Sequence, residues 1–400
     1  MDTNSEQADS QFHNAVRADS QFGNLASDSF IAIVGGSLVG PAQALLLQQA
    51  GFTNVHVYEA SPSAVSQAGG VVGVDHATLG VLDSLGIDRA EYVPFESERI
   101  VSIKVADRRE SGRVQTWYPG RNTTWTLLHG SLVRRLPVGT FHTGKRVTGL
   151  SSDELDRAML SFADGEEVTP DLVVFADGRR SFGRRVLDPH RQLRYAGYVA
   201  HRGLLVGGPE DGVFDYVRLV SDGMQFGAFP VLLPDGRMGL DWEFNLNTPS
   251  DLFSEQFGRN PTVRTYVLPH QISEAARQEV DIAAKRLLPA DTAELIERTT
   301  TRTAAPIVDI APPEWMVARI GGRPVVMEGD ALAPVHPLTA RGLNNGIVQA
   351  DGLALALVQH HRYGANLDAA LGGWQARFLP QVIADVQRGP LLARKIGLGQ

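Results

Sequence analysis

IAIVGGSLVGPAQALLLQQAGFTNVHVYE, residues 31–59, decides how the rest of the chain is read. Four apolar residues make a short buried strand, Gly35 and Gly36 open a turn, and an amphipathic helix follows. A second strand then ends on the acid Glu59. This order builds a pocket for the pyrophosphate of a dinucleotide. A helix N-terminus presents free N–H groups and partial positive charge, and the glycines let the backbone approach. A carboxylate at the end of the second strand can accept bonds from a ribose diol. Gly35, Gly36, Ser37, Leu38, Val39 and Gly40 form the expected cradle. Ser37 takes the place of the usual middle glycine; its Cβ narrows the approach, while its hydroxyl can donate to a phosphate. The plain alternative is a βαβ unit without a nucleotide, against which stand Gly36, Gly40 and the acid after the second strand.

The chain has 400 residues, 43% hydrophobic and 20% charged, enough for two or three domains or one large α/β domain with an inserted sheet. A net charge of −8 argues against nucleic acid or an anionic membrane as partner. There are no cysteines. That excludes disulfides, thiolate metal sites and a cysteine nucleophile, and it fits a cytoplasmic location. No metal site is expected, and no apolar run nears the ~18 residues of a membrane span. Residues 8–12 recur as 18–22 in a polar segment that reads as a mobile tail over 1–28.

Two later segments repeat the pattern of an apolar strand running into a turn: DLVVFADG, residues 171–178, and PVVMEGD, residues 324–330. Separate crossings of one parallel sheet would bring their C-terminal ends around a single ligand. Between them, residues 187–300 alternate as strands with Gly-Pro-Asp punctuation, as do residues 92–125. Helices are expected with an apolar face of Leu79, Leu82 and Leu85, and near 131–136, 345–361, 367–379 and 382–395.

In these three motifs together the chain resembles the FAD-dependent aromatic hydroxylases, the group A flavoprotein monooxygenases with the p-hydroxybenzoate hydroxylase fold. The segments that carry the resemblance are IVGGSLVG with Glu59, DLVVFADGRRSFGRR, and VVMEGDALAPVHPLTARGLNNGIVQADGLALAL. The GGSxxG turn and YAGYVAHRGLL look most like the branch of 2,6-dihydroxypyridine 3-hydroxylase. The resemblance implies an α/β fold with a Rossmann-like FAD-binding domain, an inserted β-rich substrate domain and C-terminal helices. It places FAD binding at residues 29–91, 126–186 and 301–350, the substrate domain at 92–125 and 187–300, and helices at 351–400.

It also implies FAD as cofactor, NADH or NADPH as reductant, and O₂ with a small aromatic molecule as substrates. One oxygen atom would reach an electron-rich ring from a C4a-hydroperoxyflavin. Carried over by motif, residues 35–40 would hold the pyrophosphate and Glu59 the adenosine ribose. Asp177 and Gly178 would lie near the pyrophosphate, and Gly329 and Asp330 on the ribityl chain. Pro337, Gly342, Leu343 and Asn344 would line the isoalloxazine, with a helix N-terminus aimed at the charge of the reduced ring. Gly70, Val71 and His129 complete the expected cofactor set. Two departures stand out: Leu332 and Ala333 replace the Ala-His pair of many relatives, and His129 stands where many carry Arg or Gln.

For a base that removes a phenolic proton, His201 is the first candidate, with Tyr198 and His336 beside it and Tyr195 and Arg202 next. The plainer reading of His201 is a partly buried strand residue. Tyr216, Phe226, Phe229, Trp242 and Phe244 alternate like a pocket wall, or like ordinary core. The same scaffold could instead perform epoxidation or Baeyer–Villiger-type oxidation, or bind FAD as a non-catalytic sensor. The last helices offer a surface for a homodimer.

Overall fold

The computed structural model describes residues 22–63, 70–93, 99–117, 120–207, 216–233, 235–263 and 266–399. The opening motif forms β1 (Ile31–Val34), α1 (Val39–Ala50) and β2 (Val55–Tyr58). Then come β3 (Val71–Asp75), α2 (His76–Ser84), β4 (Arg99–Ala106), β5 (Arg109–Trp117), β6 (Gly120–Thr124) and α3 (Trp125–Val133). β7 (Phe141–His142), β8 (Val147–Ser152), β9 (Ala158–Phe162), β10 (Glu167–Val168) and β11 (Leu172–Phe175) lead to α4 (Phe182–Leu187). The inserted region holds β12 (Arg194–Val206), β13 (Tyr216–Ser221), β14 (Met224–Leu232) and β15 (Met238–Asn247). It continues with α5 (Ser250–Phe257), α6 (Glu274–Leu287), α7 (Ala290–Arg298) and β16 (Thr301–Asp309). The chain closes through β17 (Val317–Ile320), β18 (Arg323–Met327), α8 (Gly329–Leu332), α9 (Gly342–Tyr363) and α10 (Leu367–Lys395).

Six strands form the first sheet in the order β17-β18-β11-β1-β2-β7, parallel except at β17. β1 and β11 are buried along their whole length, as strands covered on both faces must be. Their parallel arrangement brings Gly35, Glu59, Asp177 and Gly329 to one edge, where the three strand-to-turn motifs meet.

The second sheet runs β16-β12-β15-β14-β13-β4-β5. Its two faces differ in chemistry. On one, Phe226, Trp242 and Phe244 pack with Val280 and Ala284 of α6 and Ile296 of α7. On the other, the register sets Arg202 opposite Glu243, Gln225 opposite Asn245, and Arg218 opposite Gly227. That polar face meets the start of β3, where Arg202 donates to Val71 O at 3.3 Å.

Several expectations are corrected. Residues 1–21 of the expected tail lie outside the described residues, but the part from Phe22 is packed. Leu25 is buried and donates its N–H to His360 Nε2 at 3.0 Å, and the Arg319 guanidinium lies 3.8 Å from the Phe22 ring centroid. The helix expected at 131–136 is α3, which starts at Trp125 because the Thr124 hydroxyl caps it by accepting from Leu127 N. β6, assigned to the substrate sheet, pairs with β3 instead, and β16, assigned to the cofactor domain, is the edge of the substrate sheet. Alternation identifies a strand but not its partner.

The two helices expected at 367–379 and 382–395 are one, with Pro380 and Pro390 inside it. Packing of Trp374, Phe378, Val382 and Val386 on the main core offsets the lost hydrogen bonds. No described helix is long and apolar enough to cross a membrane.

Candidate cofactor and substrate site

The turn after β1 is as tight as its glycines allow. Gly35 has φ 112°, and a Cβ there would lie 2.4 Å from Ala176 O. A Cβ on Gly40 would lie 1.9 Å from Gly35 O, so α1 could not seat against the turn. Leu38 is buried at the helix entry and Val39 begins the helix. The Glu59 carboxylate accepts from Gly36 N at 2.8 Å and from Ser61 N at 2.7 Å. It thus braces the turn while keeping lone pairs for further donors. Around this edge lies a cavity of ≈ 610 Å³ lined by Gly35, Ser37, Glu59, Lys145, Asp177 and Arg180. That volume falls in the range of small-molecule sites.

A second cluster closes over the turn. His129 Nε2 lies 2.8 Å from Gly36 O, so this nitrogen carries the hydrogen and donates. Burial lowers the His129 pKa, partly opposed by that bond, and keeps the ring neutral. Trp125 stacks on His129 with centroids 4.2 Å apart, and its indole N–H donates to Ser37 Oγ at 3.0 Å. The Ser37 hydroxyl hydrogen is thereby left to point elsewhere, as a phosphate ligand needs. Trp125 escaped the sequence reading, since nothing in its local pattern marks it.

The acidic turns show the same readiness. Asp177 Oδ2 accepts from Phe182 N at 2.6 Å, while its Oδ1 is enclosed without a partner. Asp330 Oδ1 is likewise enclosed and unpartnered, next to Gly342 at the start of α9. Burial raises both pKa values. Two enclosed acceptors with no donor on one sheet edge are what a polyhydroxylated ligand would satisfy. The two turns are tied together by Arg184, which donates to the carbonyls of Arg179, Asp330 and Ala331. The residues present therefore fit the ADP and ribityl parts of FAD.

The side where the isoalloxazine is expected is braced too. Asn344 donates to Gly73 O at 3.1 Å and accepts from Asp75 N at 3.0 Å, locking the first turn of α9 to β3. Arg341 adds an ion pair to Asp75 at 2.7 Å. The helix begins at Gly342, so Gly342, Leu343 and Asn344 are its first turn, reached through a 3₁₀ turn that Pro337 opens. Gly70 lies against the Arg202 guanidinium, which is itself paired with Asp241 at 3.0 Å.

The base candidates separate. His336 Nε2 lies 2.6 Å from Asp309 Oδ1, and its Nδ1 lies 3.0 Å from the Tyr198 hydroxyl. The carboxylate accepts from Nε2–H, so Nδ1 accepts from Tyr198. Tyr198 is fully buried and shares the polar-face register with Arg202. Asp309 carried no sequence signal, as its strand ends on it without a motif.

His201, the first candidate, is displaced. It points to the opposite, helix-covered face, 6.5 Å in ring centroids from Phe257. Tyr195 faces the same way, against Phe253. Of the five aromatic residues read as a pocket wall, Phe226, Trp242 and Phe244 are core on that face. Tyr216 and Phe229 stack on each other at 4.4 Å on the polar one.

Burial, helped by the Arg302 charge, pulls the His201 pKa down to about 4. As pH falls, the unfolded chain takes up this proton first. The stability contributed is complete above ~6.5 and is lost as pH drops toward 4, by roughly 3 kcal/mol in all. Urea unfolding of His201→Leu between pH 4.5 and 7.5 should therefore show a flatter pH dependence than the parent protein. Parallel curves would contradict this assignment.

Residues 28–197 match the family described as FAD binding domain. The chain is 27% identical to 2,6-dihydroxypyridine 3-monooxygenase of Paenarthrobacter nicotinovorans, covering 92% of each sequence. It is 27% identical to 6-hydroxynicotinate 3-monooxygenase of Pseudomonas fluorescens, covering 85% of this chain and 86% of that one. Among solved structures, 2,6-dihydroxypyridine-3-hydroxylase from Arthrobacter nicotinovorans superimposes with a TM-score of 0.80 at 23% identity, covering 93% and 94%. These matches bear out the expected fold, FAD as cofactor, the monooxygenase class and the branch resemblance.

Proposed function

We propose that this FAD-dependent monooxygenase hydroxylates a small electron-rich aromatic or heteroaromatic ring, held between the polar face of the second sheet and the segment from Pro337 to Asn344. The observation that carries the reading is the hydrogen-bonded chain Tyr198–His336–Asp309. It joins that polar face to the turn that opens the flavin-side helix. FAD, reduced by NADH or NADPH, supplies the electrons and the oxygen atom derived from O₂. Residues 35–40, Glu59, Gly70, Val71, His129, Asp177, Gly178, Gly329 and Asp330 hold it, and Pro337 and Gly342–Asn344 line its ring.

The protein's own part in the chemistry is to withdraw a proton. A ring hydroxyl that donates to the Tyr198 oxygen lets Tyr198 donate to His336 Nδ1. His336 Nε2–H faces Asp309, whose side chain is about a quarter exposed and gives the proton a way out. Removing that proton makes the ring a better nucleophile toward oxygen. The enclosed setting of Tyr198 and His336 keeps water from the reacting face. Reductant supply and the cysteine-free composition fit an enzyme of the cytoplasm.

A panel of phenols and hydroxypyridines should stimulate NAD(P)H oxidation, with the product heavier by one oxygen atom. His201→Leu should form as much product per NAD(P)H as the parent. If no aromatic compound raises NAD(P)H oxidation above the background rate, the hydroxylase reading fails and FAD binding alone remains. Epoxidation or ring-insertion products would favour the other chemistries of this scaffold, for which no residue speaks.

A further inference from the structure

One buried acid belongs neither to the expected FAD contacts nor to the Tyr198–His336–Asp309 chain. Glu328 lies between β18 and the Gly329-Asp330 turn, and its side chain is fully enclosed. Although it stands at the N-cap of the short helix α8, it makes no capping bond. It turns instead into the seam between α1 and α9, where its partner is Gln43 of α1, also fully buried. With the amide placed so that both contacts are satisfied, Gln43 Nε2 donates to Glu328 Oε2 at 3.0 Å and to Ala350 O of α9 at 3.3 Å. Glu328 Oε1 is enclosed without a hydrogen-bond partner. Next to it, Gly329 N donates to Gln349 Oε1 of α9 at 2.8 Å. The seam is tight: a Cβ on Gly346 of α9 would lie 2.4 Å from Val39 Cγ2 of α1, and one on Gly329 would lie 3.3 Å from Gly346 Cα.

Among the described residues no cation compensates this acid. α1 and β11 carry no ionisable side chain, and Arg323 of β18 pairs with Asp171 at 3.0 Å. Asp351 of α9 is set against Arg377 of α10, Asp385 of α10 against Arg341, and Asp330 of α8 against Arg179 and Arg184. Burial acts on Glu328 unopposed and pushes its pKa well above the usual carboxylate range. Packing does not explain an acid here, since a methionine or leucine would fill the space without the cost of enclosing a carboxyl group. A neutral carboxyl is tolerated. A carboxylate needs donors that the seam lacks, and it reaches water only if α1 and α9 part. Both helices begin at the cofactor site, α1 after the Gly35 turn and α9 at Gly342.

We propose that Glu328 is a proton-controlled latch on FAD: protonated, it holds α1, the Gly329-Asp330 turn and α9 together, and on ionising it parts them and releases the cofactor. This rests on the reading that this turn and the two helix N-termini hold FAD. The closed site keeps the proton more tightly than the opened one. Affinity for FAD is therefore full below the pKa of the opened form and is lost as pH rises toward that of the closed form, by up to about tenfold per pH unit.

The test starts from the FAD-loaded enzyme, diluted to equilibrium at a series of pH values, with released FAD read by its fluorescence. Between about pH 6 and 9.5 the apparent Kd of the parent should rise at least about tenfold. Glu328→Gln keeps the size of the side chain and cannot ionise, so its Kd should stay within about twofold over the same range. Circular dichroism at each pH establishes that the proteins are folded. Should Glu328→Gln not fold, Glu328→Met, similar in length and also uncharged, carries the same expectation.

A parent Kd that does not change with pH, or a variant Kd that rises in parallel with the parent's, overturns the latch. Asp330→Ala separates this from the reading beneath it. At pH 6 it should weaken FAD by about tenfold or more, through loss of an acceptor in the turn. If Asp330→Ala leaves the Kd unchanged, the turn does not hold the cofactor and the reading itself fails.

Discussion

Gly35→Ala should yield protein that purifies without FAD. The added methyl group meets Ala176 O at 2.4 Å and forces an L residue to φ 112°. The conformation alone costs about 1–3 kcal/mol, and the collision is with backbone, which cannot rotate away. The turn must open, and opening it withdraws Gly36 N from Glu59 and moves the N-terminus of α1 off the pyrophosphate position. Loss of the ligand removes its own stabilisation, about 4 kcal/mol when FAD is present at a thousand times its Kd. The ratio of flavin to protein absorbance in the purified variant checks this, with the thermal midpoint measured at added FAD. Gly80→Ala is the internal control. Gly80 lies in α2 with nothing within 4 Å of an added Cβ, so that variant should keep FAD and gain up to about 1 kcal/mol. A Gly35→Ala protein carrying stoichiometric FAD would refute the turn assignment.

His336→Asn should lower kcat for ring hydroxylation by about 10²–10³ at neutral pH. The deficit should shrink as pH rises past the pKa of the substrate's own hydroxyl, because a substrate already ionised no longer needs the chain. Tyr198→Phe should show the same pH dependence, since it removes the donor to Nδ1. Asp309→Asn should cost less, about tenfold, because an amide can still accept from Nε2–H but cannot take up the charge. Combining His336→Asn with Tyr198→Phe should cost little more than the worse of the two alone, as groups acting in series require. If the ratio of parent to variant kcat stays constant across pH, the three residues are a brace for the Pro337 turn and not a path for the proton.

The cofactor half of the site was legible because its chemistry is local. A glycine at positive φ, an acid at the end of a buried strand and a helix entering after a turn are each written within a few residues. The substrate half was not. In YAGYVAHRGLLV, His201 and Arg202 are neighbours that must face opposite sides of β12, and both sides are buried. Alternation says that the two differ but not which one faces Gly70 and Val71. That was decided by α6 and α7, which cover the aromatic face and leave the polar one to the cofactor domain. His201 was thereby turned into a core residue and Arg202 brought against Gly70.

The same contrast separates the sequence from the folded chain more generally. FAD was implied by the resemblance of these motifs to a known family; by itself the sequence determined the βαβ turn and the two later strand-to-acid turns. Local backbone sterics and short-range hydrogen bonding suffice for each. Only the tertiary structure decided that Asp309 meets His336 and that Trp125 caps Ser37. These pairings join residues 27 and 88 positions apart, respectively. Contacts of that kind are set by which sheet face is covered and by what covers it, and no short window of sequence contains that information.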